Sequence, residues 1–331
     1  MAKDFVISVL DLAPVAEGST PAKALRNSLD LGQHVEAYGY KRFWVAEHHN
    51  IISVASVATA VIIGYIAQGT QTIRVGSGGI MLPNHSPLII SEQFGTLASL
   101  YPGRIDLGLG RAPGTDQVTA REIRTDRMKA VYDFPNEIKK IQRYFSEENR
   151  NSAVRSVLSE GADVPLWILG SSTDSAYLAA EMGLPYAFAS HFAPAQLLPA
   201  LTIYRENFKP SAQLSEPYVM VGCNVVAAET DAEAVKLATT LQQMFLGIIT
   251  GHRELMKPPV DHVDNFWGPY RQHLEQMLAC SFIGGRAKIK AELKDLLELT
   301  KADELIAVSH IYDHETRVRS FKIFSEVCAE I

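Results

Sequence analysis

Residues 43–50 read Phe-Trp-Val-Ala-Glu-His-His-Asn, an apolar run that ends abruptly in an acid and two adjacent histidines. Such a run is typical of a buried strand that delivers ionisable groups to the rim of a fold. Histidine suits proton transfer because its unperturbed pKa lies closest to neutrality. The stretch therefore predicts a strand with a candidate site at its end, and its meaning depends on what the other strands carry.

Short β-branched runs alternate with helical periodicity along the whole chain. The predicted strands cover residues 5–10, 42–46, 73–77, 105–109, 165–169, 186–189, 218–227 and 304–308. The helices predicted after them cover residues 20–39, 55–68, 86–100, 138–145, 174–182, 194–208, 231–245 and 315–327. Continuously hydrophobic strands are typical of parallel sheets buried on both faces. Eight such units in 331 residues favour an α/β fold of the (β/α)₈ TIM barrel type over an open doubly wound sheet.

We predict one domain over residues 1–331, with two segments that exceed a minimal barrel. Residues 112–133 are polar and charged, and residues 247–279 are rich in proline and aromatic side chains without clean periodicity. Long loops in compact domains are usually functional or mobile. Both segments are therefore lid candidates, and we favour 247–279.

Composition and charge narrow the class of protein. The chain has 31 Lys and Arg against 37 Asp and Glu, a net charge of −6, without a basic run, so nucleic acid and acidic membranes are poor partners. The start has no long apolar region, so we expect no secretory signal, and the longest mostly apolar stretch, residues 54–67, is too short to span a bilayer. Cys223, Cys280 and Cys328 are far apart, which fits reduced thiols in a cytoplasm and no Cys-based zinc site.

An anion site is predicted where the fifth strand ends, because chemistry in a barrel collects at the carboxyl ends of strands. Gly170 permits close backbone approach, and Ser171 and Ser172 place hydroxyls at the start of a helix, whose free N–H groups favour phosphate. Ser175 lies one turn further on the same face, and Arg111 follows the preceding strand with a fork that suits phosphate oxygens. The alternative is that the serines only cap the helix.

Glycines follow the third and fourth strands. Gly78 and Gly79 offer bare backbone against which a planar ligand could stack, although a simple turn is equally compatible with them. Gly108 and Gly110 do not make a dinucleotide fingerprint, because Pro113 stands at the third glycine position.

Several ionisable side chains follow predicted strands. His48 and His49 face opposite sides if the strand persists, so at most one points into the barrel mouth. A metal site is not expected, because the stretch is not H-E-x-x-H and adjacent histidines rarely bind one metal. Each candidate could instead be a structural or capping residue. The further substrate-pocket candidates at the rim are Asp11, Glu47, His85 and His191.

Taken together, four segments at successive strand ends resemble the bacterial luciferase-like flavin-dependent monooxygenase family, from near residue 5 to near residue 325. Within that family, the chain most resembles the small single-chain subgroup without a known substrate. The segments that carry the resemblance are 44–49, 75–79 with 82–83, 102–111 and 170–172.

The resemblance implies a barrel that takes reduced FMN from a separate flavin reductase, forms a flavin C4a-peroxide with O₂ and oxidises a small organic substrate. His48 then matches the family's catalytic histidine, and Gly78 with Gly79 matches its non-proline cis peptide beneath the flavin ring. Arg111, Ser171, Ser172 and Ser175 match its phosphate-binding positions, with Gly170 beside them. Ser171 departs from the luciferase α chain, which has an acid there. A homodimer is also implied.

Three alternatives remain open from the sequence. Relatives on this barrel use the deazaflavin F420 for hydride transfer, and some luciferase relatives bind flavin without turnover. A metal-dependent barrel hydrolase belongs to a third class. No residue singles out a substrate.

Overall fold

The protein is described from a computed structural model that covers residues 5–261 and 267–331. Within these residues one parallel sheet runs in the order β6-β5-β4-β3-β2-β1-β9-β7-β8, and a further β6–β7 pairing closes it. Eight strands therefore form a closed barrel surrounded by helices, which confirms the predicted (β/α)₈ fold. The strands are β1 Val6–Asp11, β2 Arg42–Val45, β3 Arg74–Met81, β4 Ile105–Gly110, β5 Leu166–Gly170, β6 Tyr186–Phe188, β7 Val219–Ala227, β8 Ser281–Gly284 and β9 Glu304–Val308.

The helices follow the strands around the outside of the barrel. In the described residues none of them is both long and apolar enough to cross a membrane. Their bounds are α1 Pro21–Ala37, α2 Thr59–Gly69, α3 Pro87–Leu100, α4 Gln117–Ile123, α5 Arg127–Tyr132, α6 Phe134–Phe145, α7 Thr173–Met182, α8 Leu197–Glu206, α9 Asp231–Thr250, α10 Arg271–Met277, α11 Arg286–Thr300 and α12 His314–Cys328.

Local signals explain where several helices begin. The Thr20 side chain accepts a hydrogen bond from the Lys23 N–H at 3.2 Å, and Pro21 occupies the first helical position of α1. Thr230 caps α9 in the same way, and Asp313 caps α12 through the Thr316 N–H. These caps satisfy N–H groups that a helix leaves open in its first turn.

The strand register separates an inner and an outer apolar layer. Leu10 of β1 pairs with Trp44 of β2 inside the barrel, whereas the neighbouring pair Val9 and Phe43 packs outward against the helices. This alternation follows from the two-residue period of a strand. Inside the barrel Trp167 stacks edge-on against Trp44, with ring centroids 5.1 Å apart. The burial of one large apolar side chain stabilises the fold by about 1.5–3 kcal/mol.

A network of buried charges lies at the amino ends of the strands, beneath the apolar interior. Arg42 donates to Glu304 at 2.9 Å and to Asp106 at 2.9 Å, and Arg74 donates to Asp106 at 2.7 Å. We call Arg42, Arg74, Asp106 and Glu304 the floor network. Burial alone would lower the pKa of Arg42, but the two carboxylates raise it, so the guanidinium stays charged.

Of the elements described above, one strand, β8, and four helices, α4, α5, α10 and α11, were not predicted. β8 pairs only with the far half of β7, from Asn224 to Ala227, while the near half pairs with β6 and β9. β8 is therefore an appendage outside the barrel. The predicted lid 112–133 contains α4 and α5. The predicted lid 247–279 begins inside α9 and contains α10, and its residues 262–266 lie outside the described part of the chain.

Candidate active site

A cavity of about 880 Å³ opens at the carboxyl ends of the barrel strands. Strand ends from almost the whole circumference contribute to it, as the barrel architecture requires. Its polar and glycine lining includes His48, Gly78, Arg111, Gly170, Ser171, Ser172, Ser175, His191, Asn224 and His310. Most residues predicted for the site from the sequence therefore lie around one space.

Two segments cover this cavity. Residues 112–117 and part of α5 line one side, and residues 243–257, which include the end of α9, line the other. The second segment is attached to the loop after β1, because the Met256 N–H donates to the Val15 carbonyl at 3.0 Å and the Glu17 N–H donates to the Met256 carbonyl at 2.8 Å. Both predicted lid segments therefore contribute to the cavity wall.

The extended backbone after β2 sends alternate side chains to opposite sides. Trp44, Ala46 and His48 line the cavity, whereas Glu47 and His49 do not. The buried Glu47 carboxylate accepts hydrogen bonds from His49 and His85 at 2.9 Å. It also accepts from the Met81 N–H at 2.9 Å and from the side-chain amide of Asn84 at 3.2 Å. Glu47 thus joins the ends of β2 and β3 behind the cavity wall.

Hydrogen bonding keeps Glu47 ionised. Burial alone would raise the pKa of its carboxyl group, but the bonds from His49, His85 and the Met81 N–H outweigh this and lower the pKa to about 2. The carboxylate is therefore a structural anchor for the loops on both sides of His48.

His48 lies against the cavity in an uncharged state. Burial, followed by the nearby charge of Arg253, lowers the pKa of its imidazole to about 4, with Glu47 opposing the shift. Its Nδ1 atom is buried and has no hydrogen-bond partner among the described residues. The ring can therefore receive a proton or hold a hydrogen bond at an atom that the protein leaves open.

Gly78 and Gly79 form part of the wall next to His48, with a cis peptide bond between them. A Cβ at Gly78 would lie 2.6 Å from Leu10 Cδ1, and a Cβ at Gly79 would lie 2.8 Å from the Gly108 carbonyl oxygen. Both positions therefore exclude a side chain. Gly78 borders the cavity and Gly79 stands behind it, so the wall here is bare backbone.

The amino end of α7 is open toward the cavity. Ser172 stands at the cap position, but its side chain makes no capping hydrogen bond. The Thr173 N–H donates to Gln196 Oε1 at 3.2 Å, and the N–H groups that follow it in the first turn are left for an anion. Arg111 is about half exposed and lies 3.4 Å from the Asp174 carboxylate. The sequence left open whether the serines only cap the helix, and the absence of a capping bond from Ser172 disfavours that alternative.

Ser175 differs from the other two serines. Its hydroxyl lies 2.6 Å from the Ser172 carbonyl and 2.8 Å from the Tyr186 hydroxyl, so it is already bonded within the protein. It packs over Gly170, where a Cβ would overlap the Ser175 hydroxyl. Ser175 thus shapes this end of the cavity.

Asp11 and His85 do not border the cavity, although both follow strands. The Asp11 carboxylate accepts hydrogen bonds from Ser28 and Arg317 on the helix side of β1, because Leu10 takes the inward position. His85 is bonded to Glu47 behind the wall. Of the four substrate-pocket candidates, only His191 lines the cavity. In the described residues no group of His, Cys, Asp and Glu is arranged to hold a metal ion.

The polar cavity residues that were missed from the sequence include Arg127, Asn224 and His310. Arg127 of α5 is buried and donates to Asn84 Oδ1 at 2.9 Å and to the Arg111 carbonyl at 3.2 Å. Asn224 lies within the apolar strand β7. His310 follows β9 in the same way that His48 follows β2, so the rule applied to the other strand ends would have found it.

The chain matches the family model of the luciferase-like monooxygenases over residues 5–276. It is 48% identical to a luciferase-like monooxygenase of Escherichia coli (strain K12), over 99% of this chain and 98% of the relative. The crystal structure of apo-MsnO8 superimposes with a TM-score of 0.92 at 34% identity, covering 98% of both chains. The chain therefore belongs to the luciferase-like monooxygenase family, as the resemblance predicted.

More distant solved structures share the fold alone. They include the oxygenating constituent of 3,6-diketocamphane monooxygenase from Pseudomonas putida in complex with FMN, with a TM-score of 0.72 at 16% identity over 99% of this chain and 98% of that one. An F420-dependent secondary alcohol dehydrogenase reaches a TM-score of 0.69 at 15% identity over 98% of both chains.

Proposed function

We propose that this protein is a two-component FMN-dependent monooxygenase, which takes reduced FMN from a separate flavin reductase and oxidises a small organic molecule with O₂. The observation that carries the proposal is the pairing of two features in one cavity. Bare backbone at Gly78 forms one wall, and the uncapped start of α7 with Arg111 lies at the other end. A cofactor made of a flat ring joined to a phosphate requires both a bare surface for the ring and an anion site for the phosphate.

The cavity fits such a cofactor in size and chemistry. Its volume of about 880 Å³ lies within the roughly 300–1,000 Å³ typical of cofactor and ligand sites. The isoalloxazine ring would lie against Gly78, which Gly79 supports from behind, and the phosphate would be held by Arg111, Ser171 and Ser172. At the same end a bound phosphate would compete with the Ser172 carbonyl for the Ser175 hydroxyl.

Reduced FMN, when bound, would supply the electrons that activate O₂. The protein would position the reactants and exclude water, with residues 112–133 and the described part of 247–279 as covers over the cavity. His48 would act as a base or a hydrogen-bond donor at the reacting atoms, since its imidazole is uncharged near neutral pH and its Nδ1 is open. We assign it the catalytic role on this basis.

The decisive experiment has two stages. An anaerobic titration with reduced FMN should show stoichiometric binding, and admission of O₂ with a flavin reductase and NADH should then give steady-state O₂ uptake that differs from that of the reductase, NADH and FMN without this protein. Flavin binding with no change from that baseline would support the alternative of a flavin-binding protein without turnover. No affinity for flavin in either redox state would overturn the proposal.

F420-dependent hydride transfer is the second candidate, and one observation bears on it. A side cavity of about 280 Å³ shares Arg111 and Ser175 with the main one and continues past the proposed phosphate position. Its lining is mainly apolar, with Val131, Phe134 and Asp174 among its residues. An acidic oligoglutamate tail would be poorly matched there, which favours FMN. Competition between FMN and F420 for the purified protein would decide.

We also propose a cytoplasmic homodimer of single-domain chains. Val61 and Tyr65 lie four residues apart on α2, and their side chains are 73% and 43% exposed. An apolar stripe of this kind suits a protein interface. Sedimentation velocity should give a dimer that Val61→Glu dissociates, while Val118→Glu, at an equally exposed valine of α4, should not change the mass. A wild-type monomer would contradict the homodimer.

A further inference from the structure

Four residues that line the same cavity each carry a buried polar atom without a hydrogen-bond partner among the described residues. These atoms are His48 Nδ1, His191 Nδ1, Asn224 Oδ1 and His310 Nδ1. We call these four residues the polar cluster. Asn224 is 1% exposed and His310 is 5% exposed. Leaving a buried polar atom unpaired costs about 1–3 kcal/mol, so such atoms usually have a partner in the working protein.

The members of the polar cluster lie close to one another. Burial, followed by the charge of His48, lowers the pKa of His191 to about 4. Burial, followed by Arg317 and His191, lowers the pKa of His310 to about 3, with Asp11 opposing the shift. The three imidazoles are therefore near enough to affect each other's protonation, and Asn224 contacts the His191 backbone. The three histidines follow β2, β6 and β9, with Asn224 in β7, whereas Arg111 and Ser171 follow β4 and β5.

Neighbouring groups hold this arrangement in place. A Cβ at Gly222 would overlap Nδ1 of His191, so the glycine makes room for the ring. The Asn224 side-chain amide donates to the His191 carbonyl at 2.7 Å and to the Ser281 hydroxyl at 3.1 Å. Because a carbonyl can only accept, the Asn224 Nδ2 is fixed there and Oδ1 remains open.

The cluster carries no charge. The carboxylates near the cluster, Asp11 and Glu47, lie outside the cavity lining and accept hydrogen bonds from other groups of the protein. Apolar side chains, among them Leu10, Trp44 and Ile306, line the cavity next to the cluster. The other ionisable residues of the described lining are Arg111 at the end of β4 and, on the covering segments, Arg127, His252, Arg253, Glu254 and Lys257.

We infer that His48, His191, Asn224 and His310 form a substrate subsite for an uncharged carbonyl, amide or hydroxyl group, with the apolar remainder of the molecule against Leu10, Trp44 and Ile306. This inference deepens the proposed function and rests on it for the identity of the bound molecule as substrate. Neutral imidazoles offer both N–H donors and nitrogen acceptors, and Asn224 adds an acceptor. A carboxylate or sulfonate would face the Asn224 oxygen, and of the nearby cations Arg317 is already paired with Asp11 while Arg253 belongs to the covering segment 243–257.

The test uses hexanamide and hexanoate as probes, which have nearly the same shape and differ in charge. Calorimetric titration of the wild-type protein at neutral pH should show hexanamide binding about ten-fold or more tighter than hexanoate, since one hydrogen bond to a buried group is of this order. His310→Phe should remove the preference, and His310→Gln should retain it because the amide still forms hydrogen bonds. His273→Ala, at an exposed histidine of α10, is the matched control and should change nothing.

Hexanoate binding as tightly as hexanamide would overturn the subsite, as would equal behaviour of His310→Phe and His310→Gln. If His310→Phe does not fold, the ¹⁵N signals of histidine-labelled wild-type protein decide the question. Hexanamide should shift the His310 imidazole signals, assigned with His310→Gln, and unmoved signals overturn the subsite. The reduced-FMN titration on the same preparations separates the two proposals, since hexanamide selectivity without FMN affinity would refute the flavin function and leave the subsite standing.

Discussion

Buried polar groups are fully hydrogen-bonded at one end of the barrel and partly unpaired at the other. In the floor network both Asp106 oxygens and both Glu304 oxygens accept hydrogen bonds, from Arg42, Arg74, Trp44, Ser8 and Tyr218. In the polar cluster at the mouth, four atoms have no partner among the described residues. The floor is charged and satisfied, and the mouth is uncharged and open.

This difference separates stability from function. Buried ions whose hydrogen bonds are all made hold the strand ends in one arrangement. Removal of one partner leaves an unpaired charge in an apolar interior, which is strongly destabilising. Atoms left open at the mouth cost stability and are available to a ligand. Substitutions at the floor should therefore change unfolding, whereas substitutions at the mouth should change binding and turnover.

The largest effect is expected at the floor. Asp106→Asn removes the charge that two arginines share and should lower the free energy of unfolding by about 3–5 kcal/mol. Urea denaturation measures this loss. Glu181→Gln is the control, because its partner Lys209 is an exposed surface cation and the loss should stay below about 1 kcal/mol. Equal effects of the two substitutions would break the distinction.

At the mouth, His48→Ala should reduce O₂-coupled turnover about 100-fold, the scale of a lost proton-transfer group, while the affinity for reduced FMN stays nearly unchanged. Stopped-flow turnover and anaerobic titration measure the two quantities separately. His273→Ala again serves as the surface control. If binding is lost along with turnover, His48 has a structural role instead.

The regular alternation of apolar strands and amphipathic helices along the sequence explains why the fold was predictable. Eight apolar strands with helices between them specify a barrel because each strand is buried on both faces. β8 was missed because Ser281–Gly284 pairs with an extension of β7 outside the barrel, and no local sequence pattern indicates that pairing. The short helices α4 and α5 lie in a polar segment without apolar periodicity.

The site was predictable only as far as strand ends mark it. That rule found His48, Arg111, Ser172 and His191, but it could not state which side each residue faces. Asp11 fails for this reason, since it turns toward α1 and α12 while Leu10 takes the inward position. Asn224 is hidden inside an apolar strand, and only the closed barrel brings it beside histidines from distant parts of the chain.

Gly222→Ala tests whether ligand binding at the polar cluster depends on the packing of His191 against Gly222. The added methyl group overlaps His191 Nδ1, so the ring must move, at a cost of about 1–3 kcal/mol. The expected result is a lower melting temperature together with weaker hexanamide binding. Gly64→Ala is the matched control on α2, because its Cβ meets only Leu97 at 3.4 Å and should be harmless. Unchanged hexanamide affinity in Gly222→Ala would separate His191 from the subsite.

Arg111 and Asp174 test the proposed phosphate end. Arg111→Ala should weaken reduced-FMN binding about ten-fold, the value of one charge-assisted hydrogen bond. Asp174→Asn removes the acid that lies 3.4 Å from Arg111 and should leave binding equal or tighter. Fluorescence or calorimetric titration of FMN distinguishes the variants. A loss in Asp174→Asn as large as that in Arg111→Ala would show that the ion pair itself is needed.

The smallest expected effect is on the pH dependence of the free energy of unfolding. Burial first, then Arg317 and the neighbouring histidines, lower the pKa of His310 from 6.5 to about 3. Between these values the unfolded chain binds a proton that the folded protein does not, so stability falls as pH decreases from 6.5. One such histidine contributes at most about 1.4 kcal/mol per pH unit. His310→Gln cannot take up this proton. Urea denaturation between pH 6.5 and 5 should therefore give a shallower slope for His310→Gln than for wild type, and the same slope for both would mean that His310 is charged in the folded protein.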